Sequence, residues 1–134
     1  MSPSRAITQI LARDPRYTVE AYALVLEALD RAARSAARSR RGRTSRPRHV
    51  TGRQLCLAAR DLMRERYGLL ALYLLRLWGV GSTSDLGEIV YALIASGDLT
   101  KTERDSRADF DNVFDFNEAF GTDYRFPNDP AGDL

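Results

Sequence analysis

IVYALIASGDLTKTERDSRADFDNVFDF, residues 89–116, decides how the fold is read. It opens on helical spacing. Ile89, Val90, Leu93 and Ile94 continue an apolar pattern that begins at Leu86 and stops at Gly97. The period then changes. In DFDNVFDF, Asp109–Phe116, the side chains of Phe110, Asn112, Phe114 and Phe116 fall on one face of a strand. Asp98–Thr102 is its expected partner, joined through Glu103–Arg107, so the stretch predicts a β-hairpin. Phe116 and Phe120 are four apart, which suits one short helical turn.

Working outward, the helix before the hairpin starts near Thr83–Asp85. GLLALYLLRLWG before it is apolar nearly all round and predicts the buried central helix. Gly79-Val80-Gly81 ends that helix; the remaining Gly or Lys of a phosphate loop is absent. Further upstream, Thr51 with Gln54 has the spacing of a capping box, and Val50 with Leu55 that of a hydrophobic staple. That helix presents Leu55, Ala59, Leu62 and Met63 and stops at Gly68. At the N-terminus a short helix, about residues 4–13, carries Ile7, Ile10 and Leu11 and ends at Asp14-Pro15. Thr18 is the expected cap of the next helix, whose stripe is Val19, Tyr22, Leu26, Leu29, Ala33 and Ala36. Glu27 with Arg31 and Asp30 with Arg34 are spaced as i,i+4 pairs.

The expected fold class is therefore mainly α, a small helical domain with a C-terminal β-hairpin. Three helices followed by a hairpin is also the order of a winged helix. The alternative is an irregular helical domain with a hairpin or loop packed over it. The 134 residues read as one domain: helices over 1–38, a flexible Arg-rich linker over 39–50, a helical core over 51–97, hairpin and turn over 98–120, and a frayed tail over 121–134.

The net charge of +2 hides a split. Residues 1–84 carry sixteen Arg and six acids, a net of +10; residues 85–134 carry four bases and twelve acids, a net of −8. Lys101 is the only Lys. No run reaches the ~18–20 apolar residues of a membrane span, and no continuous apolar segment marks a signal peptide. A cytoplasmic protein with no membrane partner is the expectation. One Cys excludes a disulfide framework and a Cys-based zinc site.

Between Arg31 and Arg53 stand nine Arg, one His and no acid. Arg38, Arg40, Arg41, Arg43, Arg46 and Arg48 have no local acidic partner, and guanidinium forks match phosphate oxygens. Without an aromatic residue, such an arm contacts backbone and does not read bases. The same residues are also what a solvated linker, or an arm meeting an acidic surface, contains. The acids Asp98, Glu103, Asp105, Asp109, Asp111, Asp115 and Glu118 argue against the hairpin as a wing on DNA. Asp109 and Asp111 lack the Gly and distal Glu of a calcium loop, and no metal or cofactor is expected.

The remaining candidates read more simply as structure. His49, the only His, would need a partner such as Asp14 or Asp85 for catalysis. Cys56 reads as a buried, inert thiol. Ser82, Ser84 and Ser106 lack a nucleophile elbow. Tyr17, Tyr22, Tyr67, Tyr73, Tyr91 and Trp78 would make a stacking platform if exposed, but their spacing is that of a core. Asp14–Tyr17 reads equally as a structural turn or as a charged clamp on another loop.

The ordered set DPRY (Asp14–Tyr17), EAY (Glu20–Tyr22), RHVTG (Arg48–Gly52), YG (Tyr67–Gly68), WGV (Trp78–Val80), TSDLGEIVYALIASGDLTKTERDSRADF (Thr83–Phe110), DF (Asp115–Phe116) and EAF (Glu118–Phe120) resembles the Minf family of small uncharacterised bacterial proteins. The resemblance covers nearly the whole chain and implies no established activity, cofactor or catalytic residue. The Arg-dense linker departs from the family pattern. The expected function is non-enzymatic binding of nucleic-acid phosphate, RNA or non-specific DNA, through the six linker arginines. The alternative is a protein-interaction or self-assembly module that pairs the basic arm with an acidic surface.

Overall fold

The Thr51–Gln54 capping box forms as its spacing requires. The Gln54 N–H donates to the Thr51 hydroxyl at 3.0 Å and the Thr51 N–H donates to the Gln54 side-chain carbonyl at 2.9 Å. The computed structural model describes residues 5–39, 50–97, 99 and 106–121. In chain order these form α1 (Arg5–Arg13), α2 (Val19–Ser39), α3 (Gly52–Tyr67), a 3-10 turn (Gly68–Leu70), α4 (Ala71–Leu77), α5 (Thr83–Ala95), a second 3-10 turn (Arg107–Phe110) and α6 (Phe116–Phe120). None of the described helices is long and apolar enough to cross a membrane.

The buried side chains form one cluster from Ile7 to Phe120. The face that α2 buries is not the stripe its large residues suggest. Ala21, Leu24, Val25, Ala28 and Ala32 are buried with Tyr22, whereas Val19, Leu26 and Leu29 are half-buried. Ala58 and Ala59 on α3 are buried as well, and small side chains let two packed helix axes come close. The expected Glu27–Arg31 pair also gives way to contacts between helices. Arg31 pairs with Glu65 at 2.5 Å and Arg66 with Glu27, while Arg34 keeps Asp30 at 2.6 Å.

The predicted central helix is not buried all round. The chain tightens into the 3-10 turn at Gly68, and the short α4 buries only Ala71 and Leu75. Leu69, Leu70, Tyr73 and Leu77 stay exposed.

The expected β-hairpin and winged helix are absent: the described residues contain no strand. The proposed strand partner lies outside the described residues except for Leu99. Where a strand was expected over Asp109–Phe116, short polar side chains bond to nearby backbone and bend it. The Ser106 hydroxyl accepts from the Ala108 N–H at 3.2 Å, and Asp109 accepts from the Ser106 N–H at 3.2 Å. Asn112 takes φ 52°, and Asp115 caps α6 by accepting from Asn117 and Glu118 at 2.7 and 3.2 Å. The helical turn expected from Phe116 and Phe120 is α6, with the two rings edge to face at 5.4 Å.

Polar atoms that a hairpin would pair across strands are taken up by α5. The buried Thr83 hydroxyl donates to the Phe110 carbonyl at 2.5 Å and accepts from the Val113 N–H at 3.2 Å. Ser84 donates to Asp111 at 2.7 Å. Gly87 supplies the seat for the Phe110 ring, because a Cβ there would stand 2.7 Å from its Cγ.

Candidate functional site

The Arg-rich segment joins α2 to α3. It leaves α2 at Ser39 and re-enters the described residues at Val50, one residue before the α3 cap. Arg38 lies in the last turn of α2. Arg40, Arg41, Arg43, Arg46 and Arg48, and also His49, fall outside the described residues.

On the described body, several arginines pair with carboxylates, while Arg64 donates to the Ala119 carbonyl at 3.0 Å. Arg31, Arg34, Arg60, Arg66 and Arg107 each meet a carboxylate, the last through Glu88 at 2.6 Å. The Arg31 fork holds the Glu65 carboxyl below its usual range. A groove of about 500 Å³ runs between α2 and α3 over Ala23, Leu26 and Leu62. Its rim is Glu27, Asp30, Arg31, Arg34 and Arg66, whose charges already meet one another or Glu65. Each exposed pair contributes only ~0–1 kcal/mol to stability. Their consequence is electrostatic: the acids of the basic half are occupied. Of its six, Glu27, Asp30, Asp61 and Glu65 are engaged in these pairs.

Asp14–Tyr17 forms a clamp, and Tyr17 is its jaw. The Arg16 N–H donates to Asp14 at 3.2 Å, which closes the turn around Pro15. The Tyr17 hydroxyl then donates to Asp85 at 2.6 Å, sixty-eight residues away. The other Asp85 oxygen accepts from the Gly81 N–H at 2.8 Å. The Thr18 N–H donates to the Trp78 carbonyl at 3.2 Å. Burial first, and then the bond to Asp85, push the Tyr17 phenol well above its ordinary range, so it remains a donor at all physiological pH. Tyr17→Phe is expected to lower stability by about 1–3 kcal/mol, because it strips one bond from a carboxylate. Urea unfolding measures this, and nucleic-acid affinity should not change. Thr18 takes the expected cap position, with its carbonyl accepting from Ala21 and Tyr22, but its hydroxyl is buried without a partner.

The other candidates separate clearly. Asp85, one of two partners suggested for His49, is already engaged by Tyr17 and Gly81. Cys56 is fully buried and its thiol is pushed up to about 12 by desolvation, so it carries no thiolate at neutral pH. Tyr17, Tyr22 and Trp78 are core residues, and Tyr67 packs edge to face on Trp78 at 5.9 Å. Tyr73 departs from the core reading and is 65% exposed. Asp109 and Asp111 are held by Ser106 and Ser84. Among the described residues, no three His, Cys, Asp or Glu side chains gather as a metal site would require.

Sequence reasoning missed two features. One is the Tyr17–Asp85 bond, for which the sequence offers only the two polar residues far apart. The other is the exposure of α4, which hydropathy alone reads the opposite way. No protein family model, curated protein or solved structure matches the chain.

Proposed function

We propose that the chain is a non-enzymatic binding module that holds nucleic-acid phosphate, RNA or non-specific DNA, through Arg38, Arg40, Arg41, Arg43, Arg46 and Arg48. The observation that supports this reading is the pairing on the body. Four of the six acids in residues 1–84 are engaged by other arginines, and the stretch between Arg31 and Arg53 contains none. The positive excess of residues 1–84 therefore calls for an anion from outside that half of the chain. Polyanionic phosphate supplies it with release of counterions. Membership of the Minf family belongs to the same proposal and brings no activity with it.

The exposed acids Asp109, Asp111 and Glu118 favour the second reading, in which the arm meets an acidic protein surface. Titration of the full chain into labelled single-stranded RNA across a salt series decides between them. If all six arginines contact phosphate, log K should fall with log salt at a slope of about −4. Replacing the six with Ser should abolish that dependence. No binding at about 50 mM salt overturns the nucleic-acid reading. Capture of an acidic protein that the six-Ser variant loses would support the second.

A further inference from the structure

We infer that the exposed face of α4 is a twofold interface with a second copy of this chain. Leu69, Leu70, Tyr73 and Leu77 are 74%, 61%, 65% and 61% exposed, the large apolar side chains most open to solvent among the described residues. They lie together on the 3-10 turn and α4, and α4 turns its other side, Ala71 and Leu75, into the core.

The pattern of the patch selects its occupant. Leu69, Tyr73 and Leu77 are spaced by four and form one ridge, the kind that interlocks with its own copy when two helices pack. The ridge is symmetric about Tyr73. A twofold axis through Tyr73 sets Leu69 against Leu77 of the second copy and Tyr73 against Tyr73. The same operation places Leu70 against Arg76, which is exposed and whose aliphatic stem can cover a leucine while its head stays in water. An unrelated partner would not require this symmetry.

The area agrees. The four side chains offer roughly 500 Å² per copy, near the upper end for a monomer's largest apolar patch. Two such faces paired together bury up to about 1,000 Å² in total, the lower bound for a specific interface.

The test is sedimentation of the full chain over a concentration series, with and without Tyr73→Asp. The expected result is a monomer–dimer equilibrium that persists at about 1 M salt, where charge-driven assembly is screened. Tyr73→Asp should weaken it by about 30-fold or more, with unchanged helical circular dichroism. A second measurement uses single cysteines and a short bismaleimide; the buried Cys56 does not compete. Tyr73→Cys alone should cross-link to itself. Leu69→Cys and Leu77→Cys should each cross-link poorly alone and well when mixed. A monomer at every concentration overturns the inference. In that case, vesicle binding lost in Tyr73→Asp would point to a lipid surface. Increased dye binding after deletion of residues 122–134 would point to the chain's own C-terminus. A dimer indifferent to Tyr73→Asp, or Leu77→Cys cross-linking as well alone as in the mixture, also overturns it.

Discussion

Phe110→Ala is expected to cost about 3–5 kcal/mol of unfolding free energy. That is a large share of the ~5–15 kcal/mol that a domain of this kind has. The residue is 5% exposed and holds the C-terminal segment to the helical body. Its ring lies over Gly87 on α5, reaches Gly52 on α3, and meets Tyr91 edge to face at 6.4 Å. Truncation leaves a cavity between helices anchored at other points, so the site cannot collapse freely. Urea denaturation measures the loss, and a cost below about 1 kcal/mol would show that the second 3-10 turn is not part of the cooperative core. Gly87 provides the reciprocal check. A Cβ there would stand 2.7–2.9 Å from three atoms of the Phe110 side chain. Gly87→Ala should therefore cost about 1–3 kcal/mol in the native background. Part of that cost should vanish once Phe110 is Ala, because the contacts with Cγ and Cδ2 go while the contact with Cβ at 2.8 Å stays.

Gly79→Ala should be comparably severe, at about 3 kcal/mol or more, for two separable reasons. The first is backbone conformation. Gly79 has φ +92°, which L side chains rarely adopt and which costs ~1–2 kcal/mol. The second is contact: an added Cβ would lie 2.3 Å from the Arg16 carbonyl oxygen, and that atom belongs to a backbone already fixed by the Tyr17–Asp85 bond. Gly97 isolates the two. It has the same φ of +92°, yet none of the described residues lies within 4 Å of its Cβ position. Gly97→Ala should therefore show the conformational cost alone. Equal losses in the two variants would mean that the Asp14–Tyr17 clamp yields without cost.

Several local signals in the sequence were read correctly because their determining partner lay within a few residues. Thr51 and Gln54 find each other three positions apart. Gly68 and Gly97 end helices with positive φ, and Phe116 and Phe120 make one helical turn. The hairpin reading failed for an equally local reason. Alternating Phe gave a strand period, but Ser106, Asp109 and Asp115 are short polar residues that bond to backbone two or three positions away. Those bonds take the backbone N–H groups of Ser106, Ala108, Asn117 and Glu118 into local turns and caps.

By itself the sequence determined that the described chain is helical, where most helices begin and end, and that positive charge is concentrated in one segment between two of them. Spacing, caps and composition suffice for this because their interactions span one or two turns. Only the tertiary structure decided which faces are buried. α2 buries Ala21, Ala28 and Ala32 while the larger Leu26 and Leu29 are only half-buried. The 3-10 turn and α4 leave Leu69, Leu70, Tyr73 and Leu77 exposed on the single chain, because α4 turns Ala71 and Leu75 to the core instead. Asp85 is occupied by a tyrosine sixty-eight residues away, and Arg31 leaves its helical neighbour for Glu65. Hydropathy records how much apolar surface a segment has, not how many partners the fold brings to it.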